Sequence, residues 1–222
     1  MVSPRSSKKT LPGWEITSSR PAASTTAPPS GAPSSAMGTD GSCAMDDTGH
    51  VQSPLSRPVE AFIADLTPVL LNLASATGLA RNDKLRTDVA IEAFNLAAGF
   101  IDADGVHTDD ELWAFVAVFA GRFDTVAWAA SPSTLRTTGL LAGKRTFLDA
   151  PSAFLRLLVE ADARAATVDS WAYYEHALAV ARAVCALDAE PSRAELMAIE
   201  RFRDMMLEAM DGAGVPLSLI HI

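Results

Sequence analysis

From Pro58 onward, apolar residues recur every three or four positions, the period of an α-helix with one buried face. Glycines and capping residues separate the segments; Gly78 is a helix stop, and Pro151 suits the first turn of a helix. The predicted helices cover about residues 58–77, 84–102, 109–122, 151–164, 171–187 and 193–211, with a short one beginning near Ser131. No segment alternates with the period of a β-strand. The sequence therefore predicts an all-α bundle of about six to seven helices.

The third predicted helix, about residues 109–122, is apolar around most of its circumference. Leu112, Phe115 and Phe119 form one stripe, and Trp113 and Ala117 widen it. A helix with so little polar surface is expected to be central and buried. The aromatic residues predicted to build the core are Trp113, Phe115, Phe119, Phe123 and Trp128.

Residues 1–56 differ in composition from the rest and are rich in Ser, Thr, Pro, Ala and Gly. Such a segment cannot bury enough apolar surface to offset the entropy of ordering it, so a disordered tail is predicted. An alternative is that translation begins at Met37 or Met45. On either interpretation, residues 57–215 form one helical domain that is long enough to bury a core.

The end of the chain does not continue this pattern. The last predicted helix stops at Gly212 to Gly214, yet residues 216–222 are mostly apolar. The sequence Leu217–Ile222 resembles the read-through translation of a transposase adapter used in sequencing libraries. Residues 216–222 are then a non-native tail, and the given chain is a fragment of a protein that continues past Val215. The alternative is a genuine hydrophobic tail that docks on the domain.

The charge balance and the cysteines limit the function classes. The net charge is −9, from 27 acidic and 18 basic residues, which disfavours nucleic acid because phosphate binding needs a clustered positive field. The longest apolar run, Leu112–Ala120, is too short to span a bilayer, and the N-terminus has no apolar targeting segment. Cys43 and Cys185 do not indicate a disulfide framework. A cytoplasmic protein with no nucleic-acid or membrane partner is predicted.

The joint between the second and third predicted helices is the main candidate for a functional site. With Gly105 at position 6 of an EF-hand loop, oxygen ligands fall at positions 3, 5, 9 and 12. These ligands are Asp102, Asp104, Thr108 and Glu111. Position 1 falls on Phe100, which cannot bind a cation. The pattern therefore predicts a divalent cation held weakly by these four residues.

The same joint also has an interpretation without a ligand. Thr108 and Glu111 fit a Ser/Thr-x-x-Glu capping box, and Gly105 can end the preceding helix in the left-handed conformation. A second box, Ser192 with Glu195, lies 84 residues later and again joins two predicted helices. The repeat predicts two related αα-hairpins, and the joint is then an architectural hinge.

No residue pattern indicates catalysis. The segment Gly139–Thr146 has three residues rather than four between its glycines, and Arg145 follows the lysine, so it is not a P-loop. Lys144 and Arg145 are predicted to form a solvated turn. The histidines do not pair at metal-ligand spacing, and no nucleophile–base arrangement is apparent. The chain as given is therefore predicted not to be an enzyme and to have no ATP site.

Residues 58–211 resemble the TerB-type (tellurite-resistance-like) helical domain, most specifically from Ile101–Gly105 through Glu111-Leu112. Residues 97–105 and 186–196 are also similar to N-terminal regions of actinobacterial AAA+ ATPases of the stage V sporulation protein K type. The resemblance implies a non-catalytic regulatory or interaction domain. ATP and magnesium would bind only in a C-terminal ATPase module that this sequence lacks. The implied partners are that module, through which the protein would form a homo-oligomer, or other proteins.

The resemblance also implies an alternative function, a stand-alone TerB-like metal- or stress-responsive protein. TerB-like domains are associated with metal or stress sensing through acidic residues, and Asp102, Asp104 and Glu111 match that acidic pattern. The second hairpin departs from the pattern at Pro191 and has no glycine in its joint.

Overall fold

The computed structural model describes residues 53–77, 82–123, 126 and 131–214, and these residues form seven α-helices, one 3-10 helix and no β-strand. The all-α prediction is confirmed. The helices are α1 Ser56–Ala76, α2 Asn82–Ile101, α3 Asp109–Phe119, α4 Pro132–Thr138, the 3-10 helix Lys144–Asp149, α5 Ala153–Ala165, α6 Asp169–Cys185 and α7 Arg193–Gly212. The predicted disordered tail, apart from its last four residues, and the predicted non-native tail lie outside the described residues.

The centre of the bundle is formed by α1, α2 and α6, which all contact one another. On α2, Ala93 and Ala97 are fully buried, and so are Ala177 and Ala181 on α6. Small side chains at these positions let helix backbones approach closely, so that larger residues of α1 can pack over them. The larger side chains include Phe62, whose ring meets the ring of Tyr173 edge-on at a centroid distance of 5.5 Å.

By length and composition, α1 could cross a membrane, with a mean hydropathy of 1.4. The core helix of a soluble protein meets the same criterion, and α1 contributes to the core the buried residues Val59, Phe62, Ile63, Leu66 and Leu70. Buried residues make up 28 % of the most apolar stretch of α1, so packing accounts for only part of its hydropathy. The cytoplasmic location and the lack of a membrane partner stay predictions.

The third helix is less buried than predicted. Leu112, Phe115 and Phe119 are fully buried, but Trp113 is 52 % exposed. The contacts of α3 with α1, α2 and α4 cover only one side of it, and Trp113 lies on the uncovered side. The prediction that Trp113 builds the core is wrong, and Trp128 lies outside the described residues.

Gly99 allows the 3-10 helix to lie directly on α2. A Cβ atom at Gly99 would be 3.1 Å from Leu148 Cγ and 3.2 Å from the carbonyl oxygen of Lys144. The Lys144 ammonium donates to Asn95 Oδ1 at 3.1 Å and lies 5.6 Å from the centroid of the Phe94 ring. Lys144 is therefore anchored on α2, and the prediction of a solvated turn is wrong for this residue.

The substitution Gly99→Ala is expected to lower the free energy of unfolding by ~0.5–2 kcal/mol. The new methyl group meets a backbone carbonyl that cannot move without shifting the 3-10 helix, and this cost exceeds the gain in helix propensity. Urea denaturation measures the change. Gly121→Ala is the control because a Cβ atom added there would have no other atom within 4 Å. Equal stability of both variants would show that the contact at Gly99 is not tight.

Candidate metal centre

Both predicted capping boxes are present. Thr108 Oγ1 accepts a hydrogen bond from the Glu111 amide at 3.3 Å, and Glu111 Oε2 accepts one from the Thr108 amide at 2.8 Å. In the second box, Ser192 Oγ accepts from the Glu195 amide at 3.1 Å, and Glu195 Oε2 accepts from the Ser192 amide at 2.6 Å. Each glutamate therefore has a fixed orientation, with one carboxylate oxygen engaged at the start of its own helix.

The two capping boxes lie next to each other in the fold. Glu111 and Glu195 each contribute a carboxylate oxygen to a group that also includes Asp188, and these oxygens lie within 4.8 Å of one another. Asp188 belongs to the loop between α6 and α7, and its Oδ1 lies 3.0 Å from Thr108 Oγ1. We call Glu111, Asp188 and Glu195 the acidic cluster. It connects the joint of the α2–α3 hairpin with the joint of the α6–α7 hairpin.

The acidic cluster concentrates negative charge where water has little access. Glu111 is 1 % exposed and Glu195 is 2 % exposed. Among the described residues, no lysine, arginine or histidine forms an ion pair with any of the three carboxylates. Burial raises the pKa of Glu111 to about 7; hydrogen bonds from Thr108 oppose the rise, and the charges of Asp188 and Glu195 add to it. The cluster therefore favours binding of a proton or another cation.

One oxygen of the acidic cluster lacks a hydrogen-bond partner. Glu195 Oε1 is fully buried, and no described residue donates to it. Leaving a buried polar atom unpaired costs roughly 1–3 kcal/mol, and more when the group is charged. The positive end of the α7 dipole favours the negative charge but does not supply a donor to this oxygen. A metal ion bound between the three carboxylates would satisfy it.

The ligand types of the acidic cluster limit which metals fit. Cys185, at the end of α6, is buried, and its pKa is raised to about 12 by burial and by the charges of Glu195, Glu111 and Asp188. Its sulfur is not among the ligand atoms that lie within 4.8 Å of one another. The cluster therefore offers oxygen ligands alone, which suit hard cations such as Mg²⁺, Mn²⁺ and Ca²⁺.

Two of the four predicted metal ligands, Asp102 and Asp104, are not part of the acidic cluster among the described residues. Asp102 is buried; its Oδ1 lies 3.2 Å from His107 Nε2, and its Oδ2 accepts from the Arg145 amide at 3.1 Å. Asp104 Oδ1 accepts from the Val106 amide at 2.8 Å, which closes a tight turn. Both side chains thus have structural roles in the α2–α3 joint.

The other two predicted ligands, Thr108 and Glu111, do lie at the acidic cluster. The sequence interpretation did not place Asp188 and Glu195 in the same site. The internal repeat is the sequence feature that could have indicated these two residues. Asp188 and Glu195 occupy the positions that Asp104 and Glu111 occupy 84 residues earlier. The repeat alone does not show that the two joints face each other in the fold.

The substitution Glu111→Gln is expected to stabilise the metal-free protein at pH 8. Glutamine can still complete the capping box but carries no charge. Because the pKa of Glu111 is about 7 in the folded state and 4.5 in the reference state, the contribution of Glu111 to wild-type stability falls as the pH rises from about 4.5 to about 7 and then levels off. The variant lacks this fall, so its free energy of unfolding should exceed that of the wild type by roughly 1–3 kcal/mol at pH 8.

Urea denaturation at pH 4.5 and pH 8, with a chelator present, measures this difference. Asp104→Asn is the matched control, since it removes a carboxylate outside the acidic cluster and keeps the oxygen that accepts from Val106. Its pH dependence should follow that of the wild type. A Glu111→Gln variant whose stability changes with pH in parallel with the wild type would contradict the raised pKa.

Comparisons of the chain with protein-family models, with curated proteins and with solved structures found no match. The resemblance of residues 58–211 to TerB-like domains and to N-terminal regions of AAA+ ATPases therefore stays a prediction. The acidic cluster is the feature from which a function can be inferred.

Proposed function

We propose that this helical domain is a regulatory module that binds a divalent cation at the acidic cluster. The observation that carries the proposal is the buried Oε1 of Glu195, which lacks a donor although its carboxylate lies beside two others. Three carboxylate oxygens within 4.8 Å of one another match the spacing of ligands around one ion. A cation at this position would replace the proton that the raised pKa of Glu111 otherwise favours.

Binding at the acidic cluster would couple the two hairpins. Glu111 belongs to α3, Glu195 to α7, and Asp188 to the loop before α7. One ion therefore contacts both joints, and its binding free energy adds to the stability of their contact. Because the ligands must be ionised, binding releases a proton from Glu111 and weakens as the pH falls below about 7.

The geometry favours a small octahedral cation. Each capped glutamate has one oxygen engaged with a backbone amide, so it offers a single free oxygen. Together with Asp188 this gives three protein ligands and leaves room for water at the remaining positions. Mg²⁺ and Mn²⁺ accept six ligands, several of them water, whereas Ca²⁺ takes six to eight oxygens. We therefore expect Mn²⁺ or Mg²⁺ to bind more tightly than Ca²⁺.

A cation-responsive module agrees with the second of the two functions that the resemblance implies. The first, the regulatory or interaction domain of a AAA+ ATPase, stays a prediction because none of the described residues bears on an ATPase module. A longer reading frame from the same locus tests it. A reading frame without a Gly-x4-Gly-Lys-Ser/Thr motif downstream of Val215 would contradict that prediction.

Isothermal titration calorimetry of the full chain with MnCl₂ at pH 7.5 is expected to show about one saturable site. Glu195→Gln keeps the capping box but removes a charged ligand, so the affinity should fall at least about tenfold. Mn²⁺ should also raise the midpoint of thermal unfolding in the wild type and not in the variant.

The variant Asp104→Asn distinguishes a cation bound at the acidic cluster from a cation bound in the α2–α3 loop, which is the site that the sequence predicts. The control variant should bind Mn²⁺ as tightly as the wild type, because Asp104 lies outside the acidic cluster. Loss of binding in Asp104→Asn with binding retained in Glu195→Gln would place the cation in the α2–α3 loop instead. No heat above buffer with Mn²⁺, Mg²⁺ or Ca²⁺ would contradict the proposed function.

A further inference from the structure

A cleft of about 430 Å³ lies between the 3-10 helix and α7, away from the residues of the acidic cluster. Arg145 and Asp149 line it from the 3-10 helix, and Arg201 lines it from α7. The apolar part of the lining includes Leu148 and Met205. Its volume falls in the range of pockets that bind small molecules.

The two arginines that line the cleft have no carboxylate partner. Among the described residues, neither Arg145 nor Arg201 forms an ion pair, and Asp149 does not pair with either of them. In a chain with a net charge of −9, the described residues that line this cleft include two arginines and one aspartate, so the lining carries a net positive charge. Guanidinium groups bind phosphate and carboxylate oxygens through paired N–H donors.

Both arginines are held on fixed elements. The backbone amide of Arg145 donates to Asp102 Oδ2 at 3.1 Å, and the close contact at Gly99 keeps the 3-10 helix against α2. Arg201 lies on the same face of α7 as Met205, one turn away along the helix. The backbone positions of both arginines are therefore fixed, while their exposed side chains lose conformational freedom on binding a ligand.

We propose that this cleft binds a small organic anion with two oxyanion groups, one for Arg145 and one for Arg201. Leu148 and Met205 provide apolar surface for the carbon skeleton of the ligand. Asp149 can accept a hydrogen bond from a hydroxyl or amino group on the same ligand. The site is independent of the proposed cation site, since it shares no residue with the acidic cluster.

Calorimetric titration of the full chain with pyrophosphate and with malonate, in a chelator and at low ionic strength, tests the site. Saturable binding of either anion is expected; tighter binding of pyrophosphate identifies a phosphate ligand, and tighter binding of malonate a dicarboxylate. Arg145→Gln and Arg201→Gln should each lower the affinity at least about tenfold, because each removes a charged hydrogen-bonding group. Both side chains are exposed, so both variants should keep the wild-type midpoint of unfolding.

Arg203→Gln is the matched control. Arg203 lies on α7 two residues from Arg201 but pairs with Asp204 and does not line the cleft. It should leave the affinity unchanged. Asp149→Asn should raise the affinity for both simple anions, since Asp149 is the one acidic residue among the described residues that line the cleft. Absence of saturable binding, or an equal loss of affinity in Arg203→Gln, would overturn the proposal.

Discussion

The candidate site depends on the proximity of two buried glutamates, Glu111 and Glu195, that cap their own helices. A capping box fixes the orientation of its glutamate, because one carboxylate oxygen must reach back to the backbone amide three residues earlier. Where the two boxes meet, both glutamates are buried, and one oxygen of each lies within 4.8 Å of the other. Each glutamate stabilises the start of its own helix, but the two buried carboxylates repel each other when both are ionised. Binding of a proton or a metal ion reduces this repulsion.

Helix packing brings these two joints together. Fully buried alanines on α2 and α6, including Ala93 and Ala181, allow the helices that precede the two joints to pack closely. The ends of α2 and α6 then lead into the loops that contain the acidic residues. The packing that satisfies the hydrophobic core therefore also determines where the carboxylates lie. The position of the acidic cluster is thus a consequence of how the small core residues allow the helices to pack.

Local sequence patterns predicted the local structure well. The 3.6-residue period located the helices, and the Ser/Thr-x-x-Glu spacing identified both capping boxes, because these features depend on residues within one or two turns. The exposure of Trp113 was not predictable in the same way. Periodicity shows that a helix has a wide apolar face, but it does not show how many neighbouring helices are available to cover that face.

The candidate site was predictable only in part, for a related reason. Glu111 was identified from its own loop, whereas its partners Asp188 and Glu195 lie about 80 residues away in sequence. An EF-hand spacing assumes that all ligands come from one loop, whereas the acidic cluster takes its carboxylates from two joints. The hydrogen bond of Lys144 could not be predicted from local sequence either, because its partner Asn95 lies on a different helix.

A double-mutant cycle of Glu111→Gln and Glu195→Gln tests the contact between the two capped glutamates most directly. The free energy of unfolding is measured for the wild type, both single variants and the double variant at pH 8 with a chelator. Because each single substitution removes the same repulsion, the double variant should gain less stability than the sum of the singles, by roughly 1 kcal/mol. Additive effects, within about 0.3–0.5 kcal/mol, would show that the two carboxylates do not interact and would contradict this account.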